Sequence, residues 1–172
     1  MELVIRKGST ADSEGFIALL QETWKRMDNK EWLYLDSPEE VREMLEDGTM
    51  ELWVAMDEDR IAAAFDILIP GLNSFNYGYD LEFERQQLLQ VVNMDTIVVH
   101  PDYRGLGLQR TLMLEAEKWA FAQGYQILMC TVHPDNSFSL NNMLKLGYRI
   151  EKKLPKYGSV RYVLRKDIPV EK

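Results

Sequence analysis

Residues 98–113, VVHPDYRGLGLQRTLM, contain the clearest structural pattern in this chain. An apolar strand leads through a turn with two glycines into a helix. Gly105 and Gly107 allow positive φ angles and a close approach of a ligand, because glycine has no Cβ atom. The helix directs free N–H groups and the positive end of its dipole to the same place, and Arg104 and Arg110 add positive charge. The pattern favours a site for a pyrophosphate-sized anion over a plain tight turn.

The glycine spacing differs from that of two common nucleotide-binding loops. A Walker A loop needs Gly-Lys followed by Ser or Thr, whereas Gly107 is followed by Leu108 and Gln109. The third glycine of the Rossmann pattern is also missing, because Arg110 stands at that position. The turn therefore matches neither loop.

Around this stretch, hydrophobic periodicity predicts the order β-α-α-β-β-insert-β-α-β-α-β-β. The helix after Ser37 is marked by Pro38 at its first position, Glu40 in a capping box and Gly48 at its end. The β-α-β crossover makes its two strands parallel, and the ends of parallel strands commonly bind ligands. The predicted strands are Met1–Arg6, Glu51–Met56, Ile61–Ile69, Asn93–Val99, Tyr125–Val132, Arg149–Lys153 and Ser159–Arg165.

The segment Leu72–Val92 is longer than a hairpin connection requires. It carries aromatic and acidic side chains, namely Tyr77, Tyr79, Asp80, Glu82 and Glu84. We expect it to carry function, as long inserts in compact domains commonly do, with Tyr77, Tyr79 and Glu82 as substrate contacts. The alternative is an amphipathic helix with a solvated acidic face.

Length and charge exclude several classes of function. The chain has 172 residues, 46% hydrophobic, and a net charge of −8. We expect one domain over residues 1–172 that does not bind nucleic acid, since such binding relies on a basic surface. No apolar run is long enough to span a bilayer, and the N-terminus does not resemble a signal peptide. A single cysteine, Cys130, and no zinc-type spacing predict a cytoplasmic protein without metal.

Two motifs resemble those of the GCN5-related N-acetyltransferase (GNAT) superfamily. Residues 104–109, RGLGLQ, look like its motif A, whose consensus is Arg/Gln-x-x-Gly-x-Gly/Ala. Residues 136–148, from Asn136 to Leu146-Gly147-Tyr148, look like its motif B. The predicted element order is similar over essentially the whole chain. The resemblance implies an α+β fold with a mixed, mostly antiparallel twisted sheet, a central β-α-β crossover and splayed parallel strands.

The resemblance also implies acetyl-CoA as cosubstrate, with no metal. The backbones of Ile97, Val98 and Val99 would then pair with the pantetheine arm. Asn136 would hydrogen-bond near the pantetheine, and Ser139 would face the cofactor. The pyrophosphate would lie on the residues that form motif A and the following turn, namely Arg104, Gly105, Leu106, Gly107, Leu108, Gln109 and Arg110.

Two positions depart from the family pattern. Gln109 replaces the small last residue of motif A, a change that many members tolerate. Met143 stands where many members have the tyrosine that reprotonates the leaving thiolate. A general acid must therefore come from elsewhere, or the thiolate must leave unassisted.

Acetyl transfer to an amine needs a base and a polarised carbonyl. We expect the backbone N–H of Val99 to polarise the carbonyl. Asp95 is the best candidate base, because Asp is disfavoured in strands and this one shares a face with Ile97 and Val99. An equally good interpretation is that Asp95 stands at the start of the strand and only hydrogen-bonds a neighbouring loop. His100 and His133 each precede a proline and are expected to shape loops.

Two further residues are expected in the core. Cys130 lies in an apolar strand and Tyr148 at a helix–strand corner, so we expect both to be buried and neither to be catalytic. The same holds for the aromatic side chains near the first two helices, Trp24, Trp32 and Tyr34, although these residues could also wall the acceptor cleft.

The sequence thus predicts an acyltransferase that transfers the acetyl group of acetyl-CoA directly to a primary amine in a ternary complex. The acceptor would be a small cationic amine or a protein amine, and we expect the segment Leu72–Val92 to close over it and attract a cationic amine. The alternative is a non-catalytic acyl-CoA-binding regulatory module, which Met143 favours. Homodimers are common in the family that the chain resembles, and this sequence has no decisive interface pattern.

Overall fold

The structure is a computed structural model and describes residues 2–169. The strands form one seven-stranded mixed sheet in the order β1-β2-β3-β4-β5-β7-β6. The strands are β1 Val4–Lys7, β2 Met50–Asp57, β3 Arg60–Leu68, β4 Val91–Val99, β5 Ile127–Val132, β6 Arg149–Lys156 and β7 Ser159–Asp167. The helices are α1 Ser13–Arg26, α2 Pro38–Asp47, α3 Arg85–Leu88, α4 Leu108–Ala122 and α5 Ser137–Lys145. The predicted α+β fold and element order are confirmed.

Local sequence accounts for the ends of α2. The Ser37 hydroxyl accepts the Glu40 backbone N–H at 3.2 Å, and the Glu40 carboxylate accepts the Ser37 N–H at 2.9 Å. Pro38 occupies the first position of the helix, and Gly48 ends it with φ +81°. The predicted cap, capping box and stop are all present, because each depends on side chains within a few residues of the helix end.

The described residues group into two compact units. The first contains residues 2–68 and Asp95–Ala116, with β1 to β3, α1, α2 and the last residues of β4. Its core consists of the inner faces of α1, α2 and the antiparallel β2–β3 pair, including Phe16, Leu20, Val41, Leu52 and Val98. The register of β2 and β3 places Leu52 opposite Asp66.

The second unit contains Ile69–Met94 and residues 117–169. Parallel register pairs join the start of β4 to the start of β5, from Val91 opposite Ile127 to Asn93 opposite Met129. β5, β7 and β6 continue as antiparallel neighbours. Tyr77, Val91 and Met129 lie in the core of this unit. The prediction of a single domain stays a prediction.

The insert contains a short α-helix, α3, and a 3-10 helix at Tyr77–Leu81. Several predicted strand ends were wrong; β4, for example, already begins at Val91 rather than at Asn93. The apolar pair Val91–Val92 continues the strand because both residues are buried in the sheet. Within residues 2–169, no helix combines the length and apolar character that crossing a bilayer requires.

Candidate active site

A turn between β4 and α4, residues 104–110, forms what we call the glycine loop. Gly105 and Gly107 have φ angles of +81° and +70°, which side chains disfavour. A Cβ atom added at either residue would meet open space within 4 Å. The glycines are therefore required by backbone conformation, and the surface of the loop is open. Such a surface is free to accept a ligand.

The start of α4 supplies hydrogen-bond donors to the same loop. The first helical bond runs from the Thr111 N–H to the Gly107 carbonyl at 3.1 Å. The N–H groups of Leu108, Gln109 and Arg110 consequently precede the hydrogen-bond ladder of the helix. Arg104 and Arg110 are exposed, and Leu108 is buried beneath them. Exposed cations and backbone N–H groups at the start of a helix are what an anion requires.

A cleft of about 230 Å³ lies beside the glycine loop within the first unit. Its lining combines the second half of α1 with the turn that leads from β4 into the loop, and it includes Arg26, His100 and Arg104. Arg26 forms an ion pair with Glu22 at 2.6 Å. The cleft thus extends the open surface of the loop towards α1.

The end of β4 alternates in burial. Thr96, Val98 and His100 are buried, whereas Asp95, Ile97 and Val99 are half-buried. The period of two residues places these last three side chains on one face of the strand. Asp95 therefore shares a face of β4 with Ile97 and Val99, as predicted.

Two aspartates that the sequence analysis did not single out lie next to Asp95. Asp66 on β3 hydrogen-bonds with Asp95, and Asp36, from the segment before α2, interacts electrostatically with both. We call Asp36, Asp66 and Asp95 the carboxyl cluster. Asp66 is only 2% exposed, and its Oδ1 has no hydrogen-bond partner among residues 2–169. All three residues belong to the first unit.

Burial and mutual repulsion set the protonation of the cluster. Burial, followed by the charges of Asp95 and Asp36, raises the pKa of Asp66 well above its usual value. Two carboxyl groups hydrogen-bond only if one keeps its proton, and burial places that proton on Asp66. Burial and the charges of Asp95 and Glu40 raise the pKa of Asp36 to about 7. Such shifts are frequent at functional sites.

A signal for Asp66 was present in the sequence. It interrupts the apolar run AAAFDILI on β3, where an aspartate is as disfavoured as Asp95 is on β4. Asp36 has no comparable signal, since an aspartate before an N-cap serine is ordinary. Its position becomes meaningful only through its neighbours in space.

The two histidines shape turns. The Nδ1 atom of His100 accepts the Asp102 N–H at 3.2 Å, and that of His133 accepts the Asp135 N–H at 3.1 Å. Both rings are buried. The loop-shaping interpretation of the two His-Pro-Asp sequences is confirmed, because each histidine acts as a side-chain cap for its own turn.

Helix α5 in the second unit carries the motif B residues. The Asn136 Oδ1 accepts the Ser139 N–H at 3.3 Å and so caps the helix, which leaves the amide NH₂ group as a donor. Ser139 is half-buried in the first turn. Met143 is 5% exposed and packs in the protein interior. The position therefore has an apolar side chain and no hydroxyl group.

Several polar groups of the insert are bonded to other groups of the second unit. Tyr77 is buried, and its hydroxyl lies 3.0 Å from that of Tyr157. The Tyr79 side chain is 45% exposed but donates its hydroxyl to the Leu72 carbonyl at 2.7 Å. Asp80 forms an ion pair with Lys156 at 2.7 Å, so its charge is offset. Glu82 is exposed. Substrate contacts by Tyr77, Tyr79 and Glu82 stay a prediction.

The prediction of burial was confirmed for some of the expected core residues and wrong for another. Cys130 is buried, and burial raises the pKa of its thiol, so it does not form a thiolate. Tyr148 is buried and donates to the Glu117 carboxylate at 2.8 Å. The core expectation was wrong for Tyr34, which is 55% exposed in the segment before α2. Trp24 and Trp32 are half-buried.

Comparisons with known proteins agree with the fold. A profile of the acetyltransferase (GNAT) family matches residues 16–148. No curated protein matched this sequence.

Several solved structures are similar. A GNAT-family acetyltransferase from Streptococcus pneumoniae is 23% identical, with 97% of this chain and 100% of that chain covered and a TM-score of 0.74. YncA from Salmonella typhimurium, solved with its cofactor acetyl-CoA, is 14% identical. The match covers 100% of this chain and 97% of that chain, with a TM-score of 0.76. A ribosomal-protein-alanine N-acetyltransferase from Brucella melitensis is 18% identical. The match covers 96% of this chain and 99% of that chain, with a TM-score of 0.74. These structures share the fold, and with the profile match over most of its length this chain belongs to the GNAT acetyltransferase family.

Proposed function

We propose that this protein is an acetyl-CoA-dependent N-acetyltransferase that acetylates a primary amine directly. One observation carries the proposal: β4 contains Asp95 of the carboxyl cluster and leads through a short turn into the open glycine loop. The loop suits the anionic end of the cosubstrate, and the cluster can take a proton from an ammonium group. The structure of YncA from Salmonella typhimurium, solved with acetyl-CoA, supports the choice of cosubstrate.

The residues present fit acetyl-CoA. The open space over Gly105 and Gly107 is where a Cβ atom would otherwise project. Arg104 and the N–H groups of residues 105–110 would hold the pyrophosphate, including those of Leu106 and Gln109. The backbones of Ile97, Val98 and Val99 would hold the pantetheine arm, and the cofactor contacts expected of Asn136 and Ser139 on α5 stay a prediction. When bound, acetyl-CoA supplies an activated thioester carbonyl.

Asp95 would act as the base, directly or through a water molecule. Its carboxylate accepts one proton from the acceptor ammonium, which leaves a neutral amine with a free electron pair. The hydrogen bond from Asp66 orients this carboxylate, and burial keeps the shared proton on Asp66. The backbone N–H of Val99 would donate to the carbonyl oxygen as negative charge develops there. Met143 gives no proton to the leaving sulfur, so that proton must come from another group or from water.

Thermal unfolding with and without acetyl-CoA tests the cosubstrate site. Acetyl-CoA at 100 times its Kd should stabilise the folded protein by about 2.7 kcal/mol. Gly107→Asp should abolish the shift, because it places a carboxylate in the anion site. Gly48→Asp is the matched control, since Gly48 also has a positive φ and open space around it. No shift with the wild-type protein, or an equal loss in both variants, would remove the proposal.

A second candidate is a non-catalytic acyl-CoA-binding regulatory module. The buried Met143 at the tyrosine position favours it. Release of free CoA thiol over a panel of amines separates the two functions. A module would show the acetyl-CoA shift without amine-dependent thiol release, whereas the transferase would show both.

A further inference from the structure

We propose that Asp36 and Asp95 together recognise the ammonium group of the acceptor, with the buried Asp66 as the positioning residue between them, so that the acceptor is a cationic aliphatic amine. This inference rests on the proposed function and names its substrate class. It concerns Asp36 and Asp66, to which the sequence and the family comparison gave no role.

The first argument is unsatisfied hydrogen-bonding capacity. A buried carboxyl oxygen normally has a hydrogen-bond partner, because leaving it without one costs free energy. The Oδ1 of Asp66 is buried without a partner, and no hydrogen bond or ion pair joins Asp36 to another group within residues 2–169. The Thr96 hydroxyl donates to the Asp95 Oδ2 at 3.4 Å and the Thr96 backbone N–H donates to Asp66, but neither group reaches the Asp66 Oδ1 or Asp36, which lack a donor among the described residues. An ammonium group offers three.

The second argument is charge. The groups that act electrostatically on Asp36 are Asp95 on β4 and Glu40 on α2, and Asp66 on β3 also interacts with it. All are acidic. A bound cation would relieve this repulsion and favour the ionised form of Asp36. An ammonium group is therefore attracted electrostatically to the cluster, whereas a neutral or anionic acceptor is not.

The third argument separates an ammonium ion from a metal ion. Among the described residues, no group of three or more His, Cys, Asp and Glu side chains could hold a metal. An ammonium group instead needs acceptors at hydrogen-bond distances, which the carboxylates of Asp36 and Asp95, on two different chain segments, can provide. The insert is the weaker rival for the same role, because the charge of Asp80 is already offset by Lys156.

Binding calorimetry on the full chain tests the proposal. The probes are butylamine and 1,4-diaminobutane, with 1-butanol as the neutral analogue, and CoA is added in a parallel series as a ligand that cannot donate acetyl. We expect saturable binding of the amines only. Asp36→Asn should weaken amine binding roughly tenfold or more, as expected for a hydrogen bond to a charged group. Glu43→Gln, which removes an exposed charge from α2, should leave it unchanged.

A proton readout separates recognition from a structural role. Since Asp36 has a pKa of about 7, amine binding near pH 7 should release part of a proton, and measured heats should differ between buffers of different ionisation enthalpy. Asp36→Asn should remove this difference. Binding of 1-butanol as tight as that of butylamine, unchanged affinity in Asp36→Asn, or no saturable amine binding at all would overturn the inference.

The two proposals fail in different ways. Proton-linked amine binding without any acetyl-CoA stabilisation would leave the recognition site standing and remove the transferase. Acetyl-CoA stabilisation with thiol release that is equally fast in wild type and Asp36→Asn would leave the transferase and remove the recognition site.

Discussion

The glycine loop and the carboxyl cluster have opposite electrostatic requirements. The loop attracts negative charge with backbone N–H groups, a helix N-terminus and the exposed guanidinium groups of Arg104 and Arg110. The cluster concentrates three carboxyl groups, and Asp66 is buried with one oxygen unpartnered. The loop lies in the open, whereas the cluster depends on burial.

The difference shows how the two parts are built. The loop needs only consecutive residues, and its cost is the conformational freedom of two glycines. The cluster needs β3, β4 and the segment before α2, and its cost is the desolvation of carboxyl groups. We therefore expect changes in the loop to alter cosubstrate binding, and changes in the cluster to alter proton transfer and its dependence on pH.

The largest expected effect is on turnover. Asp95→Asn should lower kcat by roughly 10²–10⁴, since general-base catalysis contributes about that much, while the acetyl-CoA thermal shift persists. The measurement is CoA thiol release with the amine that the wild-type protein acetylates fastest. Asp135→Asn, at an exposed turn, serves as the control. A kcat close to that of the wild type would show that Asp95 is not the base.

A smaller effect is expected on stability, through Asp66→Asn. Folded Asp66 keeps its proton above pH 4, while the unfolded chain releases it, so stability falls as pH rises through this range. The variant should therefore melt several degrees higher than the wild type at pH 8, and the difference should shrink as pH falls to 4. Thermal unfolding across this range measures it.

Asp59→Asn, at an exposed position of the β2–β3 turn, is the control for that experiment and should show no such trend. If Asp66→Asn and wild type kept a constant difference at every pH, Asp66 would not be the proton holder of the cluster.

The smallest effect is expected at His100. His100→Asn keeps a side-chain acceptor for the Asp102 N–H, so the turn should persist and kcat should stay within about tenfold of the wild type. Thiol release measured from pH 6 to pH 9 checks this. A loss of kcat larger than tenfold, together with the disappearance of the pH dependence of kcat on the acidic side, would show that His100 is the base and that the carboxyl cluster is not.

The elements that the sequence predicted well are those with local causes. The ends of α2 follow from Ser37, Pro38, Glu40 and Gly48, and the glycine loop follows from its own residues. The predictions for the start of β4 and for Tyr34 were less accurate, because burial against distant parts of the chain decides them. Val91, for instance, belongs to β4 because Ile127 pairs with it.

The same distinction applies to the chemistry. The chain order of motifs was sufficient for the family, and it also singled out the glycine loop and one aspartate on β4 as candidates, since each is read from neighbouring residues. The carboxyl cluster required the folded chain. Asp36, Asp66 and Asp95 are about thirty residues apart in sequence, and their pKa values depend on desolvation and mutual charge, which exist only when β3, β4 and the segment before α2 come together.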